Sequence, residues 1–193
     1  MAQFHISFNK TMGHEGGYSN NPADSGGETY RGISRVHHPD WLGWEMVDGW
    51  KLTGGITLLG DDQALDLAVR SFYKVEFWDK IKGDYLASQI IADELFDTAV
   101  IMSPRKAVTF LQRCLNMLNN RQKLYSDIAV DGGIGPKTLS TLTNYLEVRS
   151  EGLMYTYLNV VQGAYFIERV EKREDNEAFA RGWIENRVTI TKV

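Results

Sequence analysis

The chain has 193 residues, 43% of them hydrophobic and 24% charged, a balance that supports a packed core and excludes global disorder. Its formal net charge is -4 and its basic residues are scattered rather than clustered, so the electrostatic footprint of a nucleic-acid binder is missing. No run is long and apolar enough for a transmembrane segment, and "MAQFHISFNK" lacks the uninterrupted apolar stretch of a signal peptide, so we expect synthesis as a soluble cytoplasmic chain.

The opening stretch carries Phe4, Phe8 and Met12 at four-residue steps, the stripe of an amphipathic helix. At about 100° per residue, Glu15 falls between Phe4 and Phe8 on the helical wheel, which points its carboxylate toward the apolar side. Gly16 and Gly17 then end the helix, and "NNPADSGGE" reads as turns. Residues 37 to 60, "HHPDWLGWEMVDGWKLTGGITLLG", show no sustained period and hold three tryptophans, so we expect a long ordered insertion there.

A helix follows in "DDQALDLAVRSFYKVEFWDK", capped by Asp61 or Asp62, with Leu65, Val69, Phe72 and Glu76 along one face. The next covers "ASQIIADELFDTAV". Another starts at Ser103, with Pro104 in the first turn, where its missing N–H costs little. That helix sets Cys114, the sole cysteine, at helical spacing with Ala107, Val108, Leu111, Leu115 and Leu118. A free cysteine in such a stripe is a small buried hydrophobe rather than a nucleophile, and no intramolecular disulfide is possible.

The glycine-rich loop "DIAVDGGIGPKT" precedes "LSTLTNYL", and two further helices cover residues 150 to 172 and 176 to 190, with Asp175 the one strong cap signal. Many helices, few strands and no internal repeat predict a mainly α fold. A soft boundary near residues 97 to 103 divides it into 1–97 and 98–193. No flexible linker lies there, so the two halves are expected to pack as one unit.

Two carboxylates carry the chemistry. Desolvation on the apolar stripe would raise the pKa of Glu15, fitting it to donate a proton, while the polar loop around Asp24 would keep that residue ionised. Carboxyl groups pushed apart in this way form the acid and base pair of glycoside hydrolysis, although an aspartate in such a loop commonly serves only its own turn. Thr29 is a candidate to orient a water, and Tyr18 and Tyr30 are candidates to contact a sugar. Trp41, Trp44 and Trp50 offer flat faces to sugar rings or fill the core, core being the ordinary role of aromatics at this density. Glu76 is a second carboxylate on an apolar face, for which a paired core group is the ordinary reading.

Metal binding finds no support. His5 and His14 are isolated, and His37 and His38 are adjacent in sequence. Asp127, Asp131 and Gly132 sit at calcium-loop offsets, but Ala129 and Thr138 break that pattern. We expect no metal and no cofactor, and read Asp131 and Gly132 as a turn.

"EGGYSNNPADSGGETYRGI" resembles the signature of glycoside hydrolase family 108, N-acetylmuramidases often described as secretion activator proteins. The match runs through Glu15, Gly16, Gly17, Tyr18, Asn21, Pro22, Asp24, Gly26, Gly27, Thr29, Gly32 and Ile33, 12 of 19 positions. "DELFDTAV", "LQRCLN" and "VDGGIGPKT" are similar to the peptidoglycan-binding region that accompanies these enzymes. The chain departs from the pattern at "VIMSPRKA", where Ile101 and Ser103 replace an expected Asn and Gly. The spacing of Glu15 and Asp24 is also similar to that of phage-type lysozymes, with Thr29 one residue early.

The resemblance implies a lysozyme-like helical fold with a small irregular or β-hairpin region and a helical C-terminal half. It also implies Glu15 as catalytic acid and peptidoglycan glycan strands as substrate. A holin or secretion apparatus would then deliver the protein to the wall. A lytic transglycosylase and a non-catalytic wall-binding accessory remain open beside the hydrolase.

Overall fold

The computed structural model describes residues 1–12, 17–20 and 26–188. It is mainly α-helical with one small antiparallel sheet, as the sequence predicts. Internal contacts divide the chain into two units, Phe8–Glu76, and Met1–Ser7 together with Phe77 onward. The division falls inside α1 (Phe4–Met12) and inside a π-helical turn at Lys74–Trp78.

In the unit from Phe8 to Glu76, β1 (Tyr18–Asn20), β2 (Glu28–Tyr30) and β3 (Ile33–Ser34) pair in sequence order. Tyr18 faces Tyr30 across one pair and Tyr30 faces Ile33 across the other, while Thr29 pairs with Ser19 and Ser34. Arg31 and Gly32 alone join β2 to β3, with φ of 45° and 79°. These are the left-handed values of a type I′ hairpin turn, whose twist matches that of the strands. Glycine adopts them freely; Arg31 does so against Cβ sterics. It is tied down by its own N–H donating to the Gly17 carbonyl at 3.0 Å and by the Tyr73 hydroxyl donating to its carbonyl at 2.8 Å.

The expected insertion between residues 37 and 60 is more regular than its sequence reads. It holds α2 (Gly43–Leu52) and a 3₁₀ turn at Ile56–Asp61. Gly43 disguises the helix because glycine normally argues against one. Here it is a packing position: a Cβ at Gly43 would meet the Trp41 ring at 2.2 Å. Gly43, Trp44 and Val47 form the buried side of α2.

α3 (Gln63–Tyr73) starts at Asp62, whose side chain accepts from the Leu65 N–H at 3.0 Å, so Asp62 rather than Asp61 is the cap. Its buried stripe is Leu65, Val69 and Tyr73. Phe72 and Glu76 are only half-buried, because Phe72 lies one residue off that stripe and the π-helical turn shifts the register before Glu76.

The other unit is built around α4 (Gln89–Ile101), buried through Ile91–Phe96 and again at Thr98 and Ala99, and packed against both α5 (Pro104–Leu118) and α7 (Glu151–Lys172). A helix buried on nearly every side belongs inside a bundle. Met1–Ser7 docks on this unit: the Ala2 N–H donates to the Leu86 carbonyl at 2.8 Å, and Ser7 Oγ donates to Asp93 Oδ1 at 2.6 Å. Phe4 meets Trp78 and Phe96 edge-on. Trp78 is fully buried and donates its N–H to Asp84.

α5 buries Ala107, Val108, Phe110, Leu111, Gln112, Cys114 and Leu115, so Phe110 and Gln112 join the expected stripe while Leu118, in the last turn, is only half-buried. Ser103 Oγ caps it, accepting from the Lys106 N–H at 3.2 Å. Asp131 makes the turn expected of it, accepting from the Gly133 N–H at 2.8 Å. α6 (Pro136–Val148) follows that loop, and Ser150 caps α7. Asp175 does not cap α8 (Glu177–Arg187). It lies within a 3₁₀ turn at Glu174–Asn176 instead, and Asn176 precedes the helix without a side-chain cap. No helix among the described residues is long and apolar enough to cross a membrane.

Candidate functional site

The sheet and the 3₁₀ turn of the Phe8–Glu76 unit enclose a cleft of about 630 Å³, lined by Met12 and Gly17, by Tyr18, Tyr30 and Arg31 from the sheet, and by Ile56, Thr57, Leu59 and Gly60 opposite them. Strand alternation brings Tyr18 and Tyr30 to one face of the sheet as a cross-strand pair. Tyr30 is buried, and its hydroxyl donates to the Leu59 carbonyl at 3.0 Å, tying the sheet to the 3₁₀ turn. Burial raises the pKa of this phenol.

Tyr18 stands above a charged cluster. Its hydroxyl donates to Glu28 Oε1 at 2.9 Å, and the same oxygen accepts from Lys51 Nζ at 2.7 Å. Arg35 Nε lies 2.9 Å from the other Glu28 oxygen, without the in-line geometry of a hydrogen bond. Arg35 also grips Asp48 with both terminal nitrogens and lies over the Trp44 ring at 4.4 Å. The Tyr18 phenol is raised, first by burial and then by its bond to the Glu28 carboxylate. The Arg35 hydrogen bonds hold Asp48 below the usual carboxylate range. Glu28 is thus held by two cations and a phenol, an arrangement that ties β1, which bears Tyr18, to β2, which bears Glu28 and Tyr30.

A second cluster supports Arg31. Its Nη1 donates to Asp66 Oδ1 at 2.6 Å, while Arg70 Nε donates to Asp66 Oδ2 at 2.6 Å. Burial pulls the Asp66 pKa up, but the bonds from Arg70 and Arg31 outweigh it and leave the carboxyl below its ordinary value. Both guanidinium groups also lie over the Phe8 ring, at 5.8 Å for Arg31 and 4.7 Å for Arg70.

The structure therefore brings Tyr18 and Tyr30 together at the cleft. Thr29 does not join them: its pairing with Ser19 and Ser34 places it on the opposite face of the sheet, away from the cleft-lining tyrosines. Trp41 lies nearly parallel to Tyr30, with ring centroids 6.5 Å apart, and packs edge-on against Trp44 and Phe72. Trp44 is 3% exposed and donates its N–H to the His38 carbonyl, and Trp50 donates to Asp62. Trp44 is a core residue and Trp41 and Trp50 are half-buried around α2; none of the three lines the cleft.

Glu15 and Asp24 lie outside the described residues, in the stretches 13–16 and 21–25. Met12 and Gly17, the residues on either side of the first stretch, both line the cleft. Arg31, Thr57 and the Ile56–Gly60 wall were not singled out by the sequence. "Tyr-Arg-Gly-Ile" carries a hairpin signal in its x-Gly pair, but nothing local marks Arg31 as cleft-lining. Among the described residues, no three His, Cys, Asp or Glu side chains converge as a metal site would require.

Residues 8–102 match the family described as "Glycosyl hydrolase 108", and residues 106–188 match the one described as "Predicted Peptidoglycan domain". Among solved structures, the chain is similar to "Structure of Brucella abortus SagA", at 22% identity and a TM-score of 0.61, over 94% of this chain and 87% of that one. At that identity the likeness concerns the fold alone. No curated protein matches the chain.

Proposed function

We propose, for a chain that belongs to the glycosyl hydrolase 108 family over residues 8–102 and carries a predicted peptidoglycan domain over residues 106–188, a muramidase that cuts the β-1,4 bond between N-acetylmuramic acid and N-acetylglucosamine. Glu15 is its general acid. The observation that carries this reading is the cleft bordered by both neighbours of the segment that holds Glu15, Met12 and Gly17, with Tyr18 and Tyr30 on its wall.

In the proposed reaction Glu15 protonates the glycosidic oxygen as the bond to the anomeric carbon breaks through an oxocarbenium-like transition state. Asp24, or a water it activates, meets that carbon. Inversion requires the two carboxyls about 6.5 to 9.5 Å apart, and a covalent intermediate about 5 to 5.5 Å. Tyr18 is the sugar contact in this reading, which the anchoring of its hydroxyl on Glu28 and its place on the cleft wall support. The register of Thr29 lends no support to a role in orienting water at the cleft. The peptidoglycan domain supports action at the cell wall, with delivery by a holin or a secretion apparatus part of the same proposal.

The test is digestion of purified sacculi in heavy-oxygen water by the unmodified protein and by Glu15→Gln, followed by mass spectrometry of the soluble products. Label at new reducing N-acetylmuramic ends, lost by at least about a hundredfold in the variant, is the expected outcome. Unlabelled anhydro ends would make the protein a lytic transglycosylase. Binding to sacculi without release of ends would make it a wall-binding accessory.

A further inference from the structure

Arg31 is the one ionised side chain among the described residues that line the cleft. The remaining lining is apolar, phenolic, hydroxylic or glycine. We propose that Arg31 recognises a carboxylate on the bound glycan strand, so that the cleft selects acidic, muramic-acid-bearing strands over neutral ones. This deepens the reading above and rests on a glycan being the cleft's ligand.

Three independent features support the assignment. First, the guanidinium is only partly used: Nη1 is committed to Asp66, while Nε and Nη2 have no hydrogen-bond partner among the described residues. The side chain retains 25% of its exposure. An arginine fork with one corner anchored and two donors free is preorganised for a planar, two-oxygen acceptor.

Second, the ion-pair cluster that holds Arg31 is itself positive. Asp66 is shared by Arg31 and Arg70, so two cations face one carboxylate and the trio keeps a net positive charge. In a concave site with partly apolar walls such an excess charge is weakly screened.

Third, the chain holds Arg31 at a backbone conformation that costs an L-residue energy, φ of 45° in a two-residue turn where asparagine, aspartate or glycine is the usual occupant. Its side chain, N–H and carbonyl are each fixed, by Asp66, Gly17 and Tyr73. Strain persists where the surroundings over-determine it, and such positions cluster at ligand clamps.

The carboxylate has two sources in a wall glycan, the lactyl group of a stem-free muramic acid and the peptide stem. The experiment separates them. Full-length protein in the Glu15→Gln background is titrated with stem-free strands, stem-bearing strands, and both after capping every carboxyl as a neutral amide. The expected result is that capping weakens binding roughly tenfold, the low end of what a hydrogen bond to a charged group contributes, and that Arg31→Gln binds capped and uncapped strands alike. The strand type that shows the loss identifies the source.

Arg31→Lys, which keeps charge but loses the fork, should restore part of the preference. Arg70→Gln, which removes the excess charge on the trio but leaves the Arg31 fork in place, should weaken it only in part. Near-ultraviolet circular dichroism checks that each variant is folded. Equal binding of capped and uncapped strands by the Arg31-containing protein would overturn the proposal. So would a preference that survives Arg31→Gln, or one abolished as fully by Arg70→Gln. Cleavage is measured separately in the protein with Glu15. Loss of cutting with the preference intact would defeat the muramidase reading and leave the carboxylate site standing.

Discussion

At the scale of single residues, what the sequence made legible depended on how far away the partners lie. Cys114 could be placed in the core from its neighbours alone, because its stripe runs within one helix, and it is fully buried. Burial pushes its thiol up to about 12, and the thiolate is the reactive form. The native protein should therefore resist an aromatic disulfide reagent at pH 8 for as long as it stays folded and release one equivalent on unfolding in guanidinium, read by absorbance. Rapid labelling of the folded chain would contradict its position. Arg31 was not legible, because its meaning comes from Asp66, 35 residues away, and from a turn whose handedness no single residue announces. Trp44 was ambiguous in sequence for a related reason: a sugar platform and a core residue look alike until the ring's surroundings are known.

At the scale of elements, α5 was readable because its start signal at Ser103 and Pro104 and its periodicity agree. α2 was not readable, because Gly43 buys close packing with Trp41 at the expense of helix propensity. Caps also differ in what they hold. Ser103 Oγ caps α5 through one backbone N–H. Ser88 Oγ accepts from the Ile91 N–H at the start of α4 and donates to Glu151 Oε2 at 2.6 Å, joining the first turns of α4 and α7. Ser103→Ala should cost about 1 kcal/mol, the usual loss for a cap. Ser88→Ala should cost about 2 kcal/mol or more, since a hydrogen bond to a charged group goes with it. Chemical denaturation of the two variants side by side checks the order, and equal losses would mean that the Glu151 bond contributes nothing.

At the scale of the molecule, the signature around Glu15 foretold the match to glycosyl hydrolase 108 over residues 8–102, and the helical content foretold the fold class, since both are written in contiguous sequence. The two units were not foretold, because one of them joins segments remote in the chain. The family segment 8–102 contains all of α4, whose buried side chains rest on α5 and α7 from beyond it. A fragment of residues 1–102 should accordingly leave α4 without its packing partners, shown by binding of a hydrophobic dye and a lower melting temperature than that of the whole chain. A fragment that melts like the whole chain and binds no dye would refute the expectation. The same arrangement governs how the protein comes into being on a ribosome. Residues 8–76 have emerged in full while Ser7 still lacks Asp93 and Ala2 still lacks Leu86. Ala2 and Ser7 are thus held waiting for partners some 85 residues further along the chain, and a synonymous change that slows elongation while residues 77–93 are still inside the ribosome would lengthen that wait without altering a single side chain.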